Sequence, residues 1–174
     1  MNDQTIQFAW GHININVSNL ERSIAFYEKL GFEVYRHGIP YLDLTRDADT
    51  TAVPDTSARA LGLPAETQGR ACIMQLGRGY PKLDLTEFEN RTPKTPLSNG
   101  DLGIVRLCLV SQNLEEDYVQ LRAEGVTFLS APQPCKGDMA DIAICRDPDG
   151  TLIELIQAHR DKWPPLTPKG RRRD

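Results

Sequence analysis

The sequence predicts an α+β fold in which two strand–helix–strand–strand–strand modules form a cupped mixed sheet with the helices on its outer face. The main observation is an internal repeat, because residues 11–34 (GHININVSNLERSIAFYEKLGFEV) are matched in order by residues 106–128 (RLCLVSQNLEEDYVQLRAEGVTF). The strands that would close each half also match, and the polar, proline-rich segment 89–101 separates the halves. An internal repeat constrains architecture more than any single motif, so we expect two modules of one kind.

Each half opens with a predicted strand and helix. Apolar and polar residues alternate along the strand, and a polar residue then caps the first turn of the helix. A glycine ends each helix, since a residue without Cβ adopts the left-handed conformation at low cost. The matched positions are Ile13 and Leu107 in the strands, Asn19 and Asn113 at the helix starts, and Gly31 and Gly125 at the helix ends. Short strands, FEVYR and VTFLS, are predicted to follow.

Two further strands are predicted to close each half. In the first half they are RACIMQLG and YPKLDLTEF, and in the second they are DIAICRD and TLIELIQ. The DPDG segment at 147–150 predicts a tight hairpin turn, because proline presets φ and glycine accepts a positive φ. The sequence therefore predicts a single domain over 1–160, with module 1 at about 8–90, a linker at 91–101, module 2 at about 102–158 and a tail at 159–174.

The first module is longer because it carries an insertion at residues 37–69. Its turn residues and a short predicted helix at 56–61 are compatible with two interpretations. The insertion is either a lid over a pocket or a surface excursion without a functional role.

The composition narrows the classes of function. The net charge of −4 argues against a general nucleic-acid binder, and the basic residues 169–173 are interpreted as a solvated tail. The four cysteines have no CxxC spacing, which favours free thiols in a reduced cytoplasmic interior. No apolar run approaches the ~20 residues that span a bilayer. No signal-peptide pattern opens the chain. We expect a cytoplasmic protein with no membrane or nucleic-acid partner.

Four side chains are predicted to project from the face of the sheet opposite the helices: His12, Asp84, Arg106 and Glu154. A carboxylate between apolar strand residues is costly to bury unless it is paired or metal-bound, and two such positions indicate a polar cluster. Strand parity places Glu87 on the other face, away from Asp84. The alternative is a salt-bridge network in which Arg106 bridges Asp84 and Glu154 while His12 is hydrogen-bonded.

At these residues the chain resembles the vicinal oxygen chelate superfamily, the glyoxalase, bleomycin-resistance and extradiol-dioxygenase group. The motifs that carry the resemblance are GHININVSNLERSIAFYEKLGF and RDPDGTLIELIQ, and it extends over about residues 8–157 apart from the insertion. It implies paired βαβββ modules in a U-shaped sheet, a small-molecule ligand and a homodimer, with modules paired within one chain or swapped between two.

The resemblance also implies a divalent ion (Mg, Mn, Fe, Ni, Co or Zn), held by a histidine from the first strand and a carboxylate from the last strand of each module. Carried over, His12 and Glu154 match this pattern and Asp84 is a shortened version, but Arg106 replaces the second histidine and has no lone pair to give. Either His12, Asp84 and Glu154 hold a metal beside Arg106, or the site is metal-free with Arg106 in place of the ion, which we prefer. Glyoxalase I activity itself is not expected.

Two function classes follow. The first is an isomerase, epimerase or lyase acting on a small oxygenated metabolite, with Arg106 or a metal stabilising an oxyanion and Glu154 or His12 moving the proton. The second is a metal-free binding protein of the resistance type, in which aromatic residues stack on a planar ligand. Possible wall residues are Asn14, Gln75 and Cys108, and the stacking candidates are Trp10, Tyr35, Tyr41 and Tyr80. We also expect Arg106 to lower the pKa of the Cys108 thiol.

Overall fold

A computed structural model describes residues 7–165, which form two compact units. Unit 1 runs to Pro96 and includes Asp147–Gly150, while unit 2 runs from Leu97 to Arg146 and continues from Thr151. The basic residues of the C-terminal tail, Lys169 and 171–173, lie outside the described residues. The boundary between the two units falls within the predicted linker, and the 147–150 turn belongs to unit 1.

Unit 1 is built around one mixed sheet with the strand order β1-β7-β6-β2. Strand β1 is parallel to β7, β5 pairs with β6, and β3 and β4 form a separate two-stranded sheet. The strands are β1 (His12–Asn16), β2 (Glu33–Arg36), β3 (Gly38–Ile39), β4 (Leu44–Thr45), β5 (Thr51–Ala52), β6 (Gln68–Gln75) and β7 (Lys82–Phe88), and the helices are α1 (Leu20–Lys29) and α2 (Asp55–Leu61).

Unit 2 has the order β8-β11-β10-β9, again with its first and last strands parallel. Its elements are β8 (Arg106–Val110), α3 (Leu114–Ala123), β9 (Gln133–Pro134), β10 (Ala140–Arg146) and β11 (Leu152–Ala158). The predicted strand VTFLS is wrong, because only a single bridge joins Phe128 to Cys145. Pro132 follows soon after and cannot donate to a ladder, which favours a break before the short β9.

The repeat extends to the register of the strands. In unit 1, Asp84 lies between Asn14 of β1 and Ile73 of β6. In unit 2, Glu154 lies in the same way between Cys108 of β8 and Ile144 of β10. The glycines after the helices, Gly31 and Gly125, both have φ of +86°, as predicted for helix ends. The predicted α+β architecture of repeated modules is therefore confirmed at the level of individual residue pairs.

Equivalent side chains also fasten each helix to its sheet. The Glu87 carboxylate accepts a hydrogen bond from the Leu20 amide at 2.8 Å, and the Gln157 side chain accepts one from the Leu114 amide at 2.8 Å. Each bond satisfies an amide in the first turn that has no partner within the helix. Glu87 thus serves the helix face, as strand parity predicted, and leaves Asp84 as the carboxylate of the opposite face.

The insertion at 37–69 is a packed structure with its own small core. Ile39, Leu42 and Leu44 are buried against Val53 and Ala58 and against Ala71 of β6. The predicted helix at 56–61 corresponds to α2, which begins one residue earlier, at Asp55. Burial of this apolar surface fixes the insertion against β6, on the face of the unit 1 sheet that carries Ala71 and Ile73.

The turn at 147–150 forms as predicted, with Gly150 at φ +94°. Within unit 1 its two aspartates are anchored by the first helix and its cap: Asp147 accepts a bond from the Tyr27 hydroxyl, and Asp149 accepts one from the Ser18 amide. The four cysteines are all free thiols. Among residues 7–165, none of the helices combines the length and apolarity needed to cross a membrane.

Candidate functional site

The unit 1 site lies on the face of the sheet opposite α1. Successive strand residues point to opposite faces, so β1 presents its polar residues on this face while Ile15 and Val17 are buried on the other. Strand β7 presents buried polar residues on the same face. The polar residues of the face are His12, Asn14 and Asn16 from β1 and Lys82, Asp84 and Thr86 from β7.

Asp84 is the most deeply buried of these side chains, with an exposed fraction of 1%. Its Oδ2 accepts a hydrogen bond from the Tyr41 hydroxyl at 3.1 Å and lies 3.7 Å from Nε2 of His12. Its Oδ1 has no hydrogen-bond partner among the residues described. Burial raises the pKa of Asp84, and His12 and Tyr41 only partly oppose this effect. Asp84 is thus a buried acid in which one oxygen is bonded to Tyr41 and the other is enclosed by the protein.

Tyr41 reaches Asp84 from the insertion. It lies in a 3₁₀ turn, Pro40–Leu42, whose carbonyl at Tyr41 accepts a bond from the Ser57 hydroxyl of α2 at 2.8 Å. Its ring stacks near that of His12, with centroids 6.4 Å apart and planes 25° from parallel. Burial and the neighbouring Asp84 raise the pKa of Tyr41 to about 12. The insertion therefore contributes a hydrogen-bond donor to the site, in line with a role beyond a surface excursion.

Gln75, predicted as a wall residue, belongs to a polar chain on the same face. Its Nε2 donates to Oε1 of Glu33 at 2.6 Å, and its Oε1 accepts from Nζ of Lys82 at 2.7 Å. Asn14, another predicted wall residue, accepts from the Thr86 hydroxyl at 3.0 Å. Lys82 was missed from the sequence because a lysine at the start of a strand is normally exposed.

The unit 2 site is a charge pair with two neighbours. Nε of Arg106 donates to Oε2 of Glu154, and Nη1 donates to Oδ1 of Asn99 at 3.1 Å. The Cys108 thiol lies 3.5 Å from the other carboxylate oxygen, Oε1. Glu154 is buried, while the Arg106 side chain remains 38% exposed. The Arg106–Glu154 half of the predicted salt-bridge network is therefore present within this unit.

Arg106 lowers the pKa of the Cys108 thiol, as expected, but larger effects raise it. Burial and the adjacent carboxylate of Glu154 raise the pKa of this thiol to about 11, and the opposing effect of Arg106 is smaller. One N–H group of Arg106 is bonded to Glu154. The thiol therefore lies near both the positive guanidinium and the negative carboxylate. Cys108 is thus a weakly acidic wall residue rather than an activated nucleophile.

The structure brings the predicted residues together within each unit. His12 and Asp84 meet in unit 1, with Asn14 and Gln75 on the same face, and Arg106 meets Glu154 and Cys108 in unit 2. That all four charged positions project into one hollow stays a prediction. The other histidines are engaged elsewhere: His37 lies 3.3 Å from Asp47, and His159 lies 2.8 Å from Asp141.

Neither unit alone supplies a donor set that suits a divalent metal ion. Unit 1 offers the His12 imidazole and the Asp84 carboxylate, and unit 2 offers Glu154 with one oxygen already bonded to Arg106. In neither unit do the described side chains form a metal-binding group of three or more His, Cys, Asp or Glu residues. A cation at Glu154 would face the positive charge of Arg106. The ligand set His12, Asp84 and Glu154 stays a prediction.

Comparison with known proteins places these units in a wider group. The chain is 24% identical over 165 residues to a lactoylglutathione lyase of Pseudomonas aeruginosa, covering 88% of this chain and 85% of that protein. It is 27% identical over 146 residues to a probable lactoylglutathione lyase of Vibrio cholerae, covering 84% of this chain and 88% of that protein.

A solved structure has the same fold. The crystal structure of a glyoxalase family protein from Bacillus cereus matches 91% of this chain and 99% of its own, with a TM-score of 0.70 at 16% identity. The family model for the Glyoxalase/Bleomycin resistance protein/Dioxygenase superfamily matches residues 9–155, which include both units and the insertion. The chain therefore belongs to the Glyoxalase/Bleomycin resistance protein/Dioxygenase superfamily.

Proposed function

We propose that this protein is a lyase- or isomerase-type enzyme acting on a small oxygenated metabolite, with His12 as the group that transfers a proton. The observation that carries the proposal is the buried Asp84 carboxylate, fixed by Tyr41 and placed 3.7 Å from the His12 ring. The names of its relatives, lactoylglutathione lyases, support lyase-type chemistry on a carbonyl compound.

His12 suits proton transfer for two reasons. Its side chain is 47% exposed and is therefore accessible to a ligand, while Asp84 beside it is buried and held in place. Oδ2 of Asp84 lies 3.7 Å from Nε2 of His12, so a positive charge on the ring would face this carboxyl group without a direct hydrogen bond. In this proposal His12 removes a proton next to a carbonyl and returns it to the neighbouring carbon or oxygen.

Arg106 is proposed to stabilise the oxyanion, and Glu154 to hold Arg106 in position. The guanidinium donates through Nε and Nη1, and its Nη2 has no partner in the part of the chain that the structure describes. A planar guanidinium binds a carboxylate or an enolate through two parallel N–H groups. Glu154 is already bonded to Arg106 through Oε2 and is therefore assigned the positioning role.

A panel assay tests the proposal. Lactoylglutathione, α-keto acids and enediol precursors are offered to the wild type, His12→Gln and Arg106→Lys, with His37→Gln as a matched histidine control from the same unit. We expect His12→Gln to lower kcat by roughly 10²–10⁴-fold, the usual contribution of a general base. Unchanged kcat in His12→Gln would contradict the assignment, and one equivalent of bound metal that His12→Gln removes would establish the metal-dependent alternative.

The second candidate is a metal-free binding protein of the resistance type. It is favoured by the exposed aromatic rings of Trp10, Tyr35 and Tyr80, which offer stacking surfaces. Tight stoichiometric binding of a planar compound without product formation, measured by calorimetry, would support this candidate over the enzyme.

A homodimer is part of the proposal. The segments that precede β1 and β8 expose large apolar side chains at equivalent positions, and such surfaces commonly mark protein contacts. These residues are Phe8 and Trp10 in unit 1 and Leu102 and Ile104 in unit 2, with Leu102 97% exposed. Sedimentation equilibrium of the wild type and of Trp10→Ser with Ile104→Ser tests it: we expect a dimer that the paired substitution dissociates.

A further inference from the structure

Lys82 is a buried cation on the same face as the unit 1 site. Its exposed fraction is 7%, although it is the first residue of β7. Nζ donates to Oε1 of Gln75 at 2.7 Å and lies over the rings of Tyr35 and Tyr80, at 4.6 Å and 5.2 Å from their centroids. The ammonium group is thus framed by one neutral amide and two aromatic rings.

This cation has no carboxylate partner within the described residues. Its nearest acid in the hydrogen-bond chain is Glu33, which contacts the other end of the Gln75 amide rather than Lys82 itself. An ammonium group has three N–H donors, and Gln75 takes one of them. Buried charges in proteins are usually paired, so an ammonium with only an amide and two ring faces is able to accept an anion.

Lys82 shares a face of the sheet with the proposed site. It is the register partner of His12 on the neighbouring parallel strand, about 4.8 Å away in the hydrogen-bonding direction. Its ammonium group extends away from His12, across β6 to Gln75 and the ring of Tyr35 on β2. At the equivalent place in unit 2, Arg106 pairs with Leu152, so the lysine is particular to unit 1.

We propose that Lys82, between Tyr35 and Tyr80, binds an anionic group of the ligand, a carboxylate or a phosphate, on the face of the sheet that also carries His12. The inference rests on the proposed function and narrows its substrate class to oxygenated metabolites that carry a negative charge. Tyr35 and Tyr80 are exposed at the surface and place their rings against the ammonium group, while Gln75 holds it in place.

A purely structural lysine and an anion-binding lysine differ in their effect on stability. If Lys82 only supports the fold, replacing it with methionine lowers the melting temperature, because the bond to Gln75 is lost. If it is kept for a ligand, the same replacement leaves the melting temperature unchanged or raises it, since an unpaired buried charge is removed and the apolar stem is preserved.

The experiment uses oxalate as the anionic probe and oxamide as its uncharged analogue of similar shape. Binding is measured by calorimetry and by the shift in melting temperature at low ionic strength, for the wild type, Lys82→Met and Lys82→Arg. Lys94→Met, which removes an exposed positive charge from the linker, is the matched control. Inorganic phosphate is run in parallel to separate carboxylate from phosphate preference.

We expect oxalate, but not oxamide, to bind and raise the melting temperature of the wild type and of Lys94→Met. Lys82→Met is expected to weaken oxalate binding by about 10- to 100-fold, the loss typical of one charge-assisted contact, and Lys82→Arg to retain part of it. Equal oxalate binding by the wild type and Lys82→Met would overturn the proposal, as would equal binding of oxamide. If Lys82→Met does not fold, Lys82→Arg and the oxamide comparison still decide the question.

The measurements distinguish a failure of the anion-site proposal from a failure of the proposed function. Lost oxalate binding in Lys82→Met without any turnover by the wild type supports the anion site and refutes the enzyme. Turnover with an unchanged KM in Lys82→Met refutes the anion site and leaves the role of His12 standing, because loss of uniform binding raises KM while kcat stays the same.

Discussion

Asp84 of unit 1 and Glu154 of unit 2 occupy equivalent positions in two sheets of the same register, but their neighbours differ. Asp84 receives a hydroxyl from the insertion and keeps one oxygen without a partner in the described region. Glu154 is bonded to Arg106 and contacts the Cys108 thiol. One carboxylate is bonded to a neutral hydroxyl, and the other is paired with a positive charge within its own unit.

The comparison shows which parts of the duplicated structure are free to differ. The helix-facing side of each sheet repeats closely, down to the side chains of Glu87 and Gln157 that cap the helices. The opposite face differs in charge at two of the matched positions, His12 against Arg106 and Lys82 against Leu152. Packing against the first helix of each unit restricts side-chain size and polarity, whereas the opposite face carries polar groups and tolerates different charges.

The largest stability difference between the two units is expected at Arg106. Replacing Arg106 with methionine leaves Glu154 buried without its charged partner and should cost roughly 2 kcal/mol, below the full value for a buried pair because Arg106 is partly exposed. His12→Ala in unit 1 should have a small effect, since the imidazole is half-exposed and lies 3.7 Å from Asp84. Urea denaturation of each variant measures the difference.

The control for this prediction is the double variant Arg106→Met with Glu154→Gln. If the cost arises from an unpaired buried carboxylate, the double variant should recover much of the lost stability. A double variant as unstable as the sum of the single ones would indicate that Arg106 contributes through packing instead.

A smaller loss of stability, of similar size in both units, is expected where a strand side chain caps the first helix. Glu87→Ala and Gln157→Ala each leave a helix amide uncapped, at Leu20 and Leu114, and should each cost about 1 kcal/mol. Glu89→Ala, at an exposed position after β7, is the control and should change little. Unfolding free energies that differ widely between the first two variants would contradict the equivalence of the two helix attachments.

The smallest effect is expected at Cys108. With a pKa of about 11, only about one thiol in a thousand is ionised at pH 8, so alkylation by iodoacetamide should be slow although the residue is exposed. Glu154→Gln removes the negative charge that raises this pKa and should speed alkylation several-fold, whereas Arg106→Met should slow it. Mass spectrometry of labelled peptides measures both rates, and an unchanged rate in Glu154→Gln would refute the assigned cause.

The sequence by itself determined the repeated α+β modules, the helix boundaries and the face on which His12, Asp84, Arg106 and Glu154 lie. These features follow from local rules, namely strand alternation, helix capping and glycine at helix ends, and a repeat applies each rule twice. The wrong prediction of a strand at VTFLS also came from a local rule. An apolar run does not reveal whether a partner strand is available.

Only the tertiary structure decided which side chains meet. The Tyr41 hydroxyl reaches Asp84 across more than forty residues of sequence, and Lys82 is buried because Tyr35 and Tyr80 close over it. The pKa of Cys108 likewise depends on Glu154, which is distant in sequence. Contacts of this kind depend on how the whole chain packs, and local propensities carry no information about them.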